Sequence, residues 1–160
     1  ERAASWMRLQ KTVRPEKPLF AYFAPGATHA PLQAPKAWIE RFKGQFEHGW
    51  DEERERAFAR QKKLGVVPKD AILTPRPDVI PPWTDLSRDE QRIASRLMET
   101  YAGFLAHTDA QVGKLVAALE ELDEFDNTIF VYIVGDNGSS SEGGVYGDAR
   151  RHRHESRATR

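Results

Sequence analysis

The sequence predicts an α/β fold: part of a mostly parallel sheet flanked by helices, incomplete in this chain. Three observations predict it. The elements come in the order helix, strand, loop, insertion, helix, strand, the alternation expected when helices cover the faces of a parallel sheet. Two runs, residues 19–24 and 128–134, are continuously apolar rather than alternating, as strands are when helices lie on both sides. No further apolar run supplies a third strand, and two strands do not make a stable open sheet, so the chain reads as a fragment.

Taken in order, Ala3, Trp6, Leu9 and Val13 recur at helical spacing until Pro15, which gives a short amphipathic helix. The first strand, residues 19–24, is broken by Pro25 and Gly26. Residues 28–35 hold His29 and two prolines with few apolar anchors, and each residue before a proline is biased out of the helical region, so this is an ordered loop at the carboxyl end of its strand. Residues 44–86 read as a surface insertion. Within it residues 51–64 form a charged helix with Glu52 and Arg56 at i,i+4 and a stop at Gly65, and residues 68–82 are proline-rich and extended.

Ser87 and Glu90 then form a capping box and open the longest helical pattern. Its stripe of Ile93, Leu97, Tyr101, Phe104, Thr108, Val112, Leu115, Leu119 and Leu122 is the expected core face. Gly103 and Gly113 each cost such a helix about 1 kcal/mol relative to Ala, so they permit close packing or mark a bend near His107 and Asp109. Asp126 and Asn127 turn the chain into the second strand. That strand stops on Gly135, Asp136, Asn137 and Gly138. Asp plus Asn offers one carboxylate and one amide carbonyl, the donors a hard cation prefers, at a strand end where α/β enzymes gather ligands. Asn-Gly is also a common hairpin turn, so on these residues alone a cation site and a plain turn both stand.

Composition bounds the function. The chain has 160 residues with an apolar fraction of 39%, enough for one domain with a sizeable core. Lys plus Arg and Asp plus Glu balance at 24 each, so no global field recruits nucleic acid or an anionic membrane. Absence of cysteine excludes a disulfide framework, a thiolate metal site and a cysteine nucleophile in this stretch, and leaves the compartment open. No apolar run reaches the roughly 18 residues of a membrane span. The first residues carry no signal-peptide pattern, although the chain begins at Glu1 without methionine.

Residues Lys17-Pro-Leu-Phe-Ala-Tyr-Phe-Ala-Pro-Gly-Ala-Thr-His-Ala-Pro31, Gly49-Trp-Asp51, and Asp126-Asn-Thr128 leading to Val134-Gly-Asp-Asn-Gly138 resemble the middle of a sulfatase of the arylsulfatase type, within the alkaline-phosphatase-like superfamily. The resemblance covers roughly residues 1–147. It implies that residues 1–148 are part of a catalytic domain whose substrate is a sulfate ester, built around a buried Ca²⁺, or Mg²⁺ in some members. Asp136 and Asn137 match the second pair of metal ligands of that family. His29 matches its histidine beside the sulfate, which binds the ester or assists the leaving group.

Other parts of the pattern are missing. The family's formylglycine arises within a Cys/Ser-x-Pro-x-Arg signature, and no such run occurs in these residues. Its first acidic metal pair has no counterpart, and its later lysine would lie downstream. The chain by itself is therefore expected to be inactive. A phosphoryl or phosphonate ester hydrolase of the same superfamily would carry a similar metal pair with an unmodified nucleophile, and a basic-tailed binding fragment is a third reading. Residues 149–160 hold five arginines and two histidines without apolar periodicity, as a disordered tail or a product of an altered reading frame would. Nothing near His152 and His154 supplies further metal ligands.

Overall fold

The computed structural model describes residues 1–135. Four helices organise them: α1 (Arg2–Val13), α2 (Lys36–Glu40), α3 (Gly49–Leu64) and α4 (Arg88–Glu121), with short 3₁₀ turns at Trp83–Asp85 and Phe125–Asn127. The long helix α4 is the spine. Its 34 residues span about 51 Å, and the other three helices pack against it. It starts as the sequence predicts: the Ser87 hydroxyl accepts from the Glu90 N–H, and the Glu90 carboxylate accepts from the Ser87 N–H at 3.0 Å.

Helix α1 lies on the C-terminal part of α4 by a face one position away from the expected one. Ala4 and Met7 are buried, whereas Trp6, Leu9 and Val13 are exposed. Two ion pairs set this rotation. Arg8 Nε donates to Glu121 at 3.0 Å, and Lys11 Nζ lies 2.6 Å from Glu124, so the α1 face that carries Arg8 and Lys11 must turn toward α4. Trp6 instead lines a shallow surface hollow with Lys17, Leu19 and Phe20.

Residues 76–83 fold back onto the first turn of α3. Asp51 accepts the Trp83 N–H at 2.8 Å and pairs with Arg76 at 2.9 Å, while Trp50 donates to the Pro81 carbonyl and meets Trp83 edge-on, ring centroids 5.0 Å apart. Gly49 makes this possible. Its φ is +83°, and a Cβ there would come within 2.2 Å of the Trp83 ring. Helix α3 ends at Gly65, φ +74°, whose N–H and that of Val66 cap the carbonyls of Lys62 and Gln61, as the sequence predicts.

The expected core stripe of α4 is only partly covered. Leu119 is buried, but Ile93 is 50% exposed, and the first half of the helix buries Ser95, Glu99 and Gly103 instead. Positions two apart differ by about 200° around a helix, so Ser95 and Glu99 face away from Ile93 and Leu97. Neighbouring backbone selects the polar side. Residues 38–46 pack there, and the apolar stripe on the other side stays half-covered.

The two strands are not present among the described residues. Residues 19–24 and 128–134 run extended without a ladder, so a sheet is not shown. A strand exists only with a neighbour about 4.8 Å away to take its N–H and C=O groups, and these two segments have none in a ladder among the described residues. Their side chains nevertheless alternate. Phe130 and Tyr132 are the more covered, at 38% and 50%, whereas Ile129 and Ile133 are 93% and 83% exposed.

Candidate functional site

His29 sits in the turn that ends the first extended segment. Its N–H donates to the Gly26 carbonyl at 3.1 Å, closing the turn, and its ring Nδ1 lies 2.8 Å from the Ala30 carbonyl oxygen. A carbonyl can only accept, so Nδ1 carries the proton in that contact. The ring is exposed. Six residues separate it from α2, and two of them, Pro31 and Pro35, have φ fixed by their rings. Pro35 also accepts the Trp38 N–H at 2.8 Å, so the loop runs directly into the first turn of α2.

The segment that follows His29 is seated on a polar track along α4. Four residues spaced four apart, Ser95, Glu99, Gly103 and His107, meet residues 46, 44, 39 and 38 in turn, the chain running opposite to α4. The Ser95 hydroxyl donates to the Phe46 carbonyl at 3.2 Å, and Glu99 accepts the Gly44 N–H at 2.8 Å. Gly103 lets the α2 backbone approach: a Cβ there would stand 2.8 Å from Ile39 Cα and N. The His107 ring packs on Trp38, centroids 5.5 Å apart, and Arg41 lies over the same indole at 4.6 Å.

Glu99 is the charged centre of the track. It is 6% exposed, and Arg96 donates to it at 2.6 Å while also reaching Glu40 at 3.0 Å. Burial pushes the Glu99 carboxyl up; Arg96 and the Gly44 N–H outweigh it and hold the group below the ordinary carboxylate range. Glu99 and Glu40 in turn raise Arg96 further above its ordinary value. Sequence periodicity misses this face because it seeks apolar residues. The i,i+4 recurrence of Ser, Glu, Gly and His was the available signal.

Asp136 and Asn137 lie outside the described residues. Among the described residues no group of three His, Asp or Glu side chains is arranged to hold a metal ion, and no helix is long and apolar enough to cross a membrane. The structure therefore brings one of the three sequence-derived site residues, His29, into a defined loop. The chemistry of Asp136 and Asn137, one carboxylate and one amide carbonyl, suits a hard cation but provides two donors where Ca²⁺ takes six to eight.

The model of the sulfatase family matches residues 1–159. This chain belongs to the sulfatase family. Over 142 residues the sulfatase chain is 38% identical to an arylsulfatase of Klebsiella aerogenes, a match covering 89% of this chain and 30% of that protein. It is 35% identical over 127 residues to an uncharacterized sulfatase of Schizosaccharomyces pombe, covering 79% of this chain and 22% of the yeast protein. The sulfatase chain thus spans less than a third of the length of these relatives. The family implies an alkaline-phosphatase-like α/β fold, while the described residues of this chain are helical and extended.

Proposed function

We propose that this chain is a segment of a sulfuric ester hydrolase of the arylsulfatase type, in which it supplies His29 to the substrate and Asp136 and Asn137 to a Ca²⁺ site, or a Mg²⁺ site. The observation that carries this reading is the 38% identity to an arylsulfatase across 89% of the chain, together with the sulfatase match over residues 1–159. When bound, the cation would withdraw charge from the sulfuryl oxygens. His29 would bind the ester and, when protonated, donate to the departing oxygen, with Nδ1 held by the Ala30 carbonyl to fix the ring. The two prolines after His29 limit the backbone freedom of the loop that carries it.

Two donors and no formylglycine signature do not make a turnover site, so the chain alone is inactive in this reading. The test is expression of the longer reading frame, with and without a formylglycine-generating enzyme, and assay of an aryl sulfate against an aryl phosphate. Hydrolysis of the sulfate that requires the modifying enzyme is expected, with His29→Ala lowering turnover by about 10²-fold or more and Asp136→Ala lowering turnover and weakening its stimulation by added divalent metal. Preference for the phosphate, independent of the modifying enzyme, would assign the segment to a phosphoryl ester hydrolase instead. Unchanged activity in Asp136→Ala would sink the metal assignment.

A further inference from the structure

We infer that Glu99 is a positioning residue for the His29 loop, acting through the polar track that seats residues 38–46 on α4; this rests on the reading of His29 as the substrate histidine. Helix α2 has only five residues, far too few to be stable alone, and it buries no residue of its own. Its place is set from outside. Three of the four track contacts engage backbone rather than side chain: the Phe46 carbonyl at Ser95, the Gly44 N–H at Glu99, and the Ile39 backbone over Gly103. Backbone contacts fix where the chain runs whatever the side chains do.

Glu99 holds the centre of this arrangement because it does two things. One carboxylate oxygen takes the Gly44 N–H, in a turn where Gly44 has φ +74°, and the other takes Arg96, whose second nitrogen holds Glu40 at the end of α2. Both ends of residues 40–44 are thereby tied to one turn of α4. The path back to His29 is short and stiff, with Pro31 and Pro35 among its six residues and Pro35 bonded to the first turn of α2. A shift of α2 on α4 is carried to the His29 turn rather than absorbed.

Amide hydrogen exchange read by mass spectrometry on the full 160-residue chain at low micromolar concentration tests this. Glu99→Ala should raise amide exchange at residues 42–47 by about tenfold and raise it at residues 27–35 in parallel. Glu99→Gln, which can still accept the Gly44 N–H, should restore both toward the parent. A rise confined to residues 42–47 would overturn the inference, as would no rise in either segment. Should Glu99→Ala exchange everywhere, Ser95→Ala decides in the same way, since it removes a single oxygen from the track: a coupled rise supports the inference and a local one overturns it. Because exchange needs no substrate, failure of His29 as a catalytic residue shows separately, in turnover by His29→Ala of the longer protein.

Discussion

Gly103 lies directly beneath Ile39, so close that a Cβ on Gly103 would stand 2.8 Å from the Ile39 Cα and backbone nitrogen. The helical cost of a mid-helix glycine, about 1 kcal/mol, is therefore offset by a close crossing of two helices. Gly113, ten residues along α4, meets nothing within 4 Å. The two glycines of one helix should respond oppositely to the same change. Gly103→Ala is expected to destabilise by about 1–3 kcal/mol as α2 is pushed off α4, and Gly113→Ala to stabilise by up to about 1 kcal/mol. Urea unfolding of the two variants checks this, and equal shifts of the midpoint in one direction would contradict the crossing.

Acid should weaken the track through Glu99. The Glu99 carboxyl is held below its ordinary value in the folded state, so folded chains bind that proton less readily than unfolded ones. Its contribution is therefore complete above the unfolded value, about 4.3, and is lost as pH falls through the lower folded value. Stability measured against pH should fall below about pH 4, and Glu99→Gln, which cannot titrate, should show a shallower fall in that window. A Gln variant with the same acid slope as the parent would show that other carboxylates set it.

A double-mutant cycle tests how residues 68–86 are fastened to α3. Gly49→Ala meets two obstacles, a φ of +83° and the Trp83 ring at 2.2 Å. The first costs about 1–2 kcal/mol in any background, while the second vanishes once the indole is gone. Gly49→Ala should thus be costly in the parent and fall to about 1–2 kcal/mol in Trp83→Ala. Urea midpoints of the four proteins give the coupling, and additive values would mean that the ring does not press on Gly49.

How much of this was legible in the sequence depended on whether an element's signal is local. The Ser87–Glu90 box and the Gly65 stop were readable because capping is settled within a few residues. The face of α4 was not, since Ser95, Glu99 and Gly103 are buried by the backbone of Phe46, Gly44 and Ile39, far earlier in sequence. For α1 the one-position rotation follows from Glu121 and Glu124, more than 100 residues away. The two apolar segments carry a strand pattern, but a strand is a relation between neighbours, and no ladder forms among the described residues. Of the candidate site, the loop that carries His29 was legible from its prolines; the track behind it was not, because its polar residues carry no apolar period.

Exposure along residues 128–134 makes a final, separable prediction. The run carries no charge, proline or glycine, and its β-branched residues suit pairing with another extended chain. Ile133 is 83% exposed, whereas its neighbour Phe130 is 38% exposed and turned to the covered side. Ile133→Lys should then suppress self-association of the chain, seen as lower light scattering at equal concentration, while changing stability by no more than about 0.5 kcal/mol. Phe130→Lys would have to bring its ammonium to the covered side of the segment and should cost about 1 kcal/mol or more. The two substitutions add the same charge three residues apart, so only the side that each residue faces can separate them. If Ile133→Lys proved as destabilising as Phe130→Lys, the outer side of this segment would have to be covered in solution.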